Sequence, residues 1–226
     1  MVETSITLPQ KLAAEAIGSA FLFGAVIGSG IMGQNLAGGN VGLALLANTL
    51  STGAILFVLI AMLGPISGAH FNPAVTFAFL LRREIAVGEA GLFVAAQLLG
   101  GVLGACAAHI MFDLPLIDFS TTQRAGVGPW TGELVATFGL VLTILLLLRH
   151  RPAAIPAGVA LYITSAYWFT SSTSFANPAI TIVRSLSDTF AGIAPGDVPM
   201  FILFQLAGAI AAAGCAAWLS PVVVRK

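Results

Sequence analysis

The stretch Ser67-Gly68-Ala69-His70-Phe71-Asn72-Pro73-Ala74-Val75-Thr76 recurs in altered form as Ser172-Thr173-Ser174-Phe175-Ala176-Asn177-Pro178-Ala179-Ile180-Thr181. Both copies contain Asn-Pro-Ala, then a β-branched apolar residue, then Thr. Asn followed by Pro is typical of a helix start, since Asn caps the helix and Pro suits its first position. Residues 73–82 and 178–187 each leave room for about 10 residues of helix, or about 15 Å. That is half of a hydrocarbon core of about 30 Å, so the sequence predicts two half-helices.

The composition places the chain in a lipid bilayer. Of its 226 residues, 58% are hydrophobic and only 8% are charged, whereas soluble domains carry about 25% charged residues. The mean hydropathy is +1.00. The formal net charge is zero, and no basic patch indicates nucleic acid as a partner. The chain is therefore expected to be an integral membrane protein.

Six apolar spans surround the two half-helices. They are predicted at about residues 12–32, 41–63, 87–111, 130–148, 154–170 and 200–219. Each half of the chain then reads span, span, half-helix, span. With three spans per half, the second half must enter the membrane from the opposite side, so the repeat is inverted. The sequence predicts one all-α membrane domain over residues 1–226, with repeats at about 11–112 and 129–220 joined by the loop 113–128.

The positions of the positive charges predict the orientation. Seven of the nine Lys and Arg residues fall on one side of the predicted membrane, namely Lys11, Arg82, Arg83, Arg149, Arg151, Arg225 and Lys226. Arg124 and Arg184 fall on the other side. Because Lys and Arg are enriched in cytoplasmic loops, both termini are expected in the cytoplasm and the loop 113–128 outside.

The two recurring stretches predict a polar site at the membrane midplane. Irregular backbone at that depth persists only where protein buries it or where it lines a wet cavity. Its carbonyl groups would offer a line of acceptors, while the amides of Asn72 and Asn177 cap their helices and still offer N–H donors. Two helix N-termini that meet there oppose cations. This arrangement suits an uncharged solute that forms hydrogen bonds. No nucleophile–base or metal-ligand constellation indicates an enzyme.

Paired polar residues inside the spans have two possible roles. Glu15 and Glu133 each begin the first span of a half, and Gln97 and Gln205 each lie in the last span. Intramembrane acids often relay protons, but symmetric placement favours a brace that accepts hydrogen bonds from the irregular loop of each half. His70 is interpreted as a further loop support, with a gating or metal-binding role as the alternative.

These features resemble the aquaporin and glycerol-facilitator family. The resemblance rests on the boxes Asn72-Pro73-Ala74 and Asn177-Pro178-Ala179, on the sequence around the first box, and on the paired Glu and Gln residues. It implies a right-handed bundle of six transmembrane helices plus two re-entrant half-helices in an inverted repeat. It also implies a homotetramer with one pore per subunit, which conducts passively and needs neither cofactor nor metal.

The predicted selectivity filter departs from the family pattern. Most members carry Arg directly after the second box, where this chain has Ile180. Counting back from the boxes assigns the remaining filter positions to Thr52, Ser165 and Ser174. The filter would then be small, uncharged and wide. Arg184 lies four residues after Ile180, on the same helical face, and is expected either in the outer vestibule, paired with Asp188, or as a loop or interface anchor.

The residue after the second box is aliphatic, and the segment Arg184-Ser185-Leu186-Ser187-Asp188 follows it. This pattern resembles that of a bacterial branch of aquaglyceroporins encoded with arsenic-resistance genes. That branch implies passage of arsenite and methylated arsenicals across the bacterial inner membrane, together with glycerol and water. Three alternative functions stay open. They are an ordinary water or glycerol facilitator, a proton-coupled secondary transporter that uses Glu15 and Glu133, and a membrane protein with a blocked pore.

Overall fold

The computed structural model describes residues 6–221, and within that range it contains helices and no strand. The helices are α1 (Leu8–Leu36), α2 (Val41–Ser67), α3 (Pro73–Leu81), α4 (Val87–Met111), α5 (Val127–His150), α6 (Ile155–Phe169), α7 (Pro178–Arg184) and α8 (Val198–Leu219). Single 3-10 turns at Pro152–Ala154 and Pro195–Asp197 precede α6 and α8. The predicted charges Arg225 and Lys226 lie outside the described residues.

Six of these helices follow the predicted spans. Five are long and apolar enough to cross a membrane, and α6, with 15 residues, is the shortest of the six. The order long, long, short, long holds for α1 to α4 and again for α5 to α8. Apolar side chains such as Leu99 and Trp218 are exposed on the outside, whereas Glu15 and Gln97 are completely buried. This distribution is that of a protein surrounded by lipid, because polar groups without partners are costly there.

The two half-helices begin where the sequence predicts. Asn72 caps α3, with its Oδ1 accepting a hydrogen bond from the N–H of Ala74 at 2.8 Å, and Asn177 caps α7 in the same way. Helix α7 ends at Arg184 rather than near residue 187. Its end is set by tertiary contacts, because the carbonyl groups of Ser185 and Leu186 accept hydrogen bonds from the backbone of residues 120 and 118.

Small residues let the long helices of each half approach closely. A Cβ atom added at Gly100 or Gly104 of α4 would lie 2.0 or 2.1 Å from a carbonyl oxygen of α1. In the second half, a Cβ atom at Gly208 of α8 would lie 2.5 Å from the carbonyl oxygen of Leu134 in α5. Close backbone packing of this kind is typical of Gly-containing membrane helices. It holds α1 against α4 and α5 against α8, and so positions the loops that precede the half-helices.

Candidate functional site

The N-termini of the two half-helices meet in the middle of the bundle. The Nδ2 atom of Asn72 donates to the carbonyl oxygen of Ala176 at 2.7 Å, and that of Asn177 donates to the carbonyl oxygen of Phe71 at 2.8 Å. Each Asn therefore caps its own half-helix with its oxygen and bonds the opposite half with its nitrogen. The Pro residues of both boxes occupy the first position of α3 and α7, and the Ala residues of both boxes are completely buried.

The loops before the boxes share one unusual backbone conformation. In the first half, Gly68, Ala69 and Phe71 have positive φ angles of 89°, 51° and 48°. The equivalent residues of the second half are Thr173, Ser174 and Ala176, with φ angles of 61°, 51° and 48°. A residue other than Gly in this left-handed region costs about 1–2 kcal/mol. Surrounding contacts must therefore hold both loops in place.

In the first half those contacts come from Glu15. Its carboxylate accepts hydrogen bonds from the N–H groups of His70 and Phe71 at 2.9 and 2.7 Å. It also accepts from the hydroxyl of Ser67 at 2.7 Å and from the side-chain amide of Gln97 at 2.8 Å. Each of these four partners can donate, so both oxygens of the Glu15 side chain have hydrogen-bond partners. Glu15 thus connects α1, the loop and α4.

Glu133 makes the equivalent contacts in the second half. Its carboxylate accepts from the N–H groups of Phe175 and Ala176, both at 2.8 Å, and from the amide of Gln205 at 2.5 Å. Gln205 also donates to the hydroxyl of Thr181 in α7 at 2.9 Å. Glu133 is completely buried and, like the glutamate of the first half, does not line the cavity described below.

His70 sits in the first loop and faces the cavity. Its Nδ1 atom lies 3.1 Å from the hydroxyl oxygen of Thr76 in α3. The imidazole stacks on Phe79, with a centroid distance of 4.6 Å, and meets Phe93 edge-on at 5.4 Å. None of the described residues forms a group of three or more potential metal ligands, so the structure offers no support for the alternative metal-binding role.

A cavity of about 170 Å³ passes beside the meeting point of the half-helices. Its lining includes apolar side chains of the long helices, among them Leu56, Leu140 and Val159. The loop residues 68–71 and both Asn residues also line it. The cavity therefore combines apolar side chains with polar groups, and it is large enough for a small solute.

Three of the four predicted filter residues line this cavity, and one does not. Thr52, Ser174 and Ile180 line it, whereas Ser165 is exposed on the outer face of α6. Ser165 therefore does not face the cavity, and Ile163 and Tyr167, which lie one helical turn apart, line it from α6 instead. Counting residues back from the box fixes a position along α6 but not the face of the helix that meets the cavity, which depends on how α6 packs against other helices.

Tyr167 is a cavity residue that the sequence reasoning missed. Its hydroxyl oxygen lies 3.2 Å from the hydroxyl oxygen of Thr52, so the two side chains form a polar contact between α6 and α2. The available signal was that a Tyr inside a span requires a partner for its hydroxyl group. The side chains at this level thus combine one large aromatic ring with smaller residues.

Arg184 lines the cavity, and only 2% of its surface is exposed. Its Nε atom donates to the carbonyl oxygen of Ala191, and its Cζ atom lies 3.3 Å from the centroid of the Phe175 ring. The expected pair with Asp188 is not formed, because that carboxylate accepts from the N–H of Thr121 at 2.9 Å instead. The connecting loop, not Arg184, thus holds the acidic side chain.

Six membrane helices and two opposed half-helices around a cavity define a membrane channel. The chain belongs to the major intrinsic protein family, whose model matches residues 3–169, and the chain is accordingly an integral membrane channel rather than an enzyme. This confirms the predicted family and fold class.

Two relatives and one solved structure indicate the extent of the similarity. The chain is 50% identical over 212 residues to Aquaglyceroporin AqpS of Rhizobium meliloti (strain 1021), which covers 94% of this chain and 91% of the relative. It is 30% identical over 212 residues to Nodulin-26 of Glycine max, covering 92% and 77% of the two chains. The structure of the aquaglyceroporin from Plasmodium falciparum superposes with a TM-score of 0.73 at 19% identity, covering 96% of this chain and 98% of that chain. The last comparison concerns the fold alone.

Proposed function

We propose that this protein is a passive channel for small uncharged polar solutes, and that these solutes include arsenite and methylated arsenicals as well as glycerol and water. The observation that carries the proposal is Ile180, an aliphatic side chain that lines the cavity directly after the second box. An aliphatic side chain has no charge and no donor, so the filter lacks the cationic group that most family members place there. The similarity to a protein named an aquaglyceroporin supports solutes larger than water.

The mixed lining of the cavity favours solutes that carry both polar and apolar groups. Asn72 and Asn177 each use one amide hydrogen on a carbonyl group of the opposite half, which leaves one hydrogen of each amide for a solute. The hydroxyl of Ser174 lines the cavity and has no hydrogen-bond partner among the described residues. Hydroxyl groups of arsenite or glycerol would bond these atoms, while methyl groups or CH edges would face Leu56 and Leu140.

With Tyr167 in the filter, the proposed pore is narrower than the one that the sequence predicts. Tyr167 brings a bulky ring where Ser165 was expected, so the bore is set by Thr52, Tyr167, Ser174 and Ile180. An aromatic ring presents an apolar face and a hydroxyl edge at the same level. The filter therefore selects for shape and amphipathic character rather than admitting any small molecule.

The position of the two buried glutamates favours a channel over a proton-coupled transporter. Glu15 and Glu133 are surrounded by donors from the loops and do not line the cavity. A coupling acid needs access to protons from each side in turn, which neither carboxylate has here. We propose that both act as loop supports, together with Gln97, Gln205 and His70.

We further propose the orientation, domain organisation and assembly. The described positive side chains Lys11, Arg82, Arg83, Arg149 and Arg151 would face the cytoplasm with both termini, and the loop 113–128 would face outward. The chain would form one channel domain of two inverted halves, 11–112 and 129–220, in the inner membrane of a bacterium. By the family resemblance it would assemble as a homotetramer with one pore per subunit.

Stopped-flow light scattering of vesicles that contain the purified protein tests the function. We expect water, glycerol and arsenite to cross faster than in empty vesicles, without saturation and equally at two pH values. Flux that appears only with a proton gradient would establish the coupled transporter, and flux no higher than in empty vesicles would establish a blocked pore.

A matched pair of variants tests the filter. Ser174→Leu places a large side chain in the cavity and is expected to reduce glycerol and arsenite flux more than water flux. Ser165→Leu adds the same side chain on the exposed face of α6, so it is expected to leave all three fluxes unchanged. The opposite pattern would restore the original assignment of Ser165.

A further inference from the structure

We infer that Arg184, where it lines the cavity, and Arg124 of the connecting loop form a binding site for a small oxyanion such as phosphate, and that the bound anion blocks solute passage. This inference rests on the proposed function only in that the block is measured as a loss of neutral-solute flux. The binding itself does not depend on which solute the channel conducts.

Two guanidinium groups from distant parts of the chain converge on one aromatic ring. The Cζ atom of Arg184 lies 3.3 Å from the centroid of Phe175, and that of Arg124 lies 5.0 Å from the same centroid. Each cation is attracted to the ring, and the two like charges repel each other. Two cations that share one ring are most stable with an anion near both of them.

The connecting loop fixes Arg124 in this position from several sides. Its N–H donates to Oδ2 of Asp197 at 2.6 Å, and its Nε donates to the carbonyl oxygen of Gly192 at 2.7 Å. Its Nη2 lies 3.5 Å from the carbonyl oxygen of Phe190. The side chain is therefore held beside Phe175, a residue that lines the cavity, and this preorganisation lowers the entropic cost of binding a ligand.

The acidic groups around the two arginines are committed to other donors. Glu133 accepts hydrogen bonds from the N–H groups of Phe175 and Ala176. Asp197 accepts one from the N–H of Arg124, and Asp188 accepts one from the N–H of Thr121. The ion pairs among residues 6–221 are Lys11–Glu89 and Arg82–Glu84, and neither involves the two arginines. Among residues 6–221, the two guanidinium groups thus have no carboxylate in direct contact.

Free donors complete the site. Within residues 6–221, Arg184 uses only Nε for a hydrogen bond, which leaves its two terminal nitrogens available beside the cavity it lines. Nη1 of Arg124 is likewise without a partner in the described part of the chain. The planar fork of a guanidinium matches the spacing of two oxygens of an oxyanion. A bound oxyanion would bridge the two arginines and occupy the route that a neutral solute takes past Arg184.

The test measures flux and binding separately. Glycerol flux into vesicles is compared in sodium phosphate and in sodium chloride at equal ionic strength and osmolality. Binding of inorganic phosphate to the detergent-purified protein is followed by isothermal titration calorimetry. The variants are Arg124→Gln, Arg124→Lys and Arg184→Gln. The control is Arg83→Gln, which removes an exposed charge from the loop after α3, away from the cavity.

We expect phosphate to lower glycerol flux in the wild type and to bind the purified protein. Loss of one charge-assisted contact in Arg124→Gln should weaken both effects about tenfold. Arg124→Lys should recover part of the loss, Arg184→Gln should abolish the block, and Arg83→Gln should match the wild type. If Arg184→Gln fails to fold, the two loop variants at residue 124 carry the test.

Two other results would overturn the inference. One is normal glycerol flux that phosphate does not change, with no heat of binding, which leaves the channel proposal intact. The other is phosphate binding that persists unchanged in Arg124→Gln. If glycerol does not cross in either salt, the channel proposal fails, and the calorimetry still decides whether the oxyanion site exists.

Discussion

Replacing Glu133 by Gln tests whether the buried carboxylates brace the re-entrant loops. The substitution keeps the size of the side chain but exchanges one carboxylate oxygen for an NH2 group. Both oxygens of Glu133 accept hydrogen bonds from backbone N–H groups of the second loop, each at 2.8 Å. After the substitution, one of those N–H groups would face another donor.

The cost follows from that mismatch. A hydrogen bond to a charged acceptor contributes about 1.5–3 kcal/mol, and a buried donor left without a partner costs about 1–3 kcal/mol. We therefore expect Glu133→Gln to lower the free energy of unfolding by about 2–4 kcal/mol. The loop also contains three residues with positive φ angles, Thr173, Ser174 and Ala176, so loss of the brace should release it and reduce solute flux.

The matched control is Glu89→Gln, which makes the same chemical change on a partly exposed side chain. Glu89 pairs with Lys11 at 2.9 Å, and 27% and 36% of the two side chains are exposed. An exposed pair of this kind contributes at most about 1 kcal/mol. The free energies of unfolding would be measured for the purified proteins by titration with a denaturing detergent, and fluxes in vesicles.

Equal free energies of unfolding for Glu133→Gln and Glu89→Gln would refute the proposal that Glu133 stabilises the second loop. A second contradictory result has two parts. The wild-type flux would depend on a proton gradient, and Glu133→Gln would lose that dependence while its free energy of unfolding stays unchanged. That combination would identify Glu133 as a coupling acid.

Three further predictions concern packing and the filter. Gly104→Val should prevent α4 from approaching α1 and abolish the monodisperse peak in size-exclusion chromatography, whereas Gly91→Val, on the same helix and with open space around it, should fold normally. Tyr167→Ala should raise glycerol flux relative to water flux, and an unchanged ratio in stopped-flow measurements would remove Tyr167 from the filter. Ile180→Arg should narrow the filter and suppress arsenite more than water, and equal suppression of both would count against a filter role for Ile180.

The half-helices were predictable because their signals are local. An Asn that caps and a Pro at the first helical position specify a helix start whatever surrounds them. The apolar spans are also local signals, since their length is set by the thickness of the bilayer. Both half-helices begin at the predicted Pro residues.

The errors arose where the answer depended on distant parts of the chain. Counting from Asn177 predicts Ser165 in the filter, but Ser165 is exposed and Tyr167 lines the cavity, because packing against other helices decides which face of α6 is turned inward. Asp188 was paired with Arg184 by helical spacing, but α7 ends at Arg184, so that spacing does not apply beyond it.

By itself, the sequence determined the membrane environment, the number of spans, the two half-helices and the likeness between the halves, because each depends on residues that are neighbours along the chain. Only the tertiary structure decided which face of α6 meets the cavity and which partner each buried side chain has. It also brought Arg124 and Arg184 to one aromatic ring. These features depend on loop lengths and on close packing between remote segments, and no periodicity within a single segment encodes either.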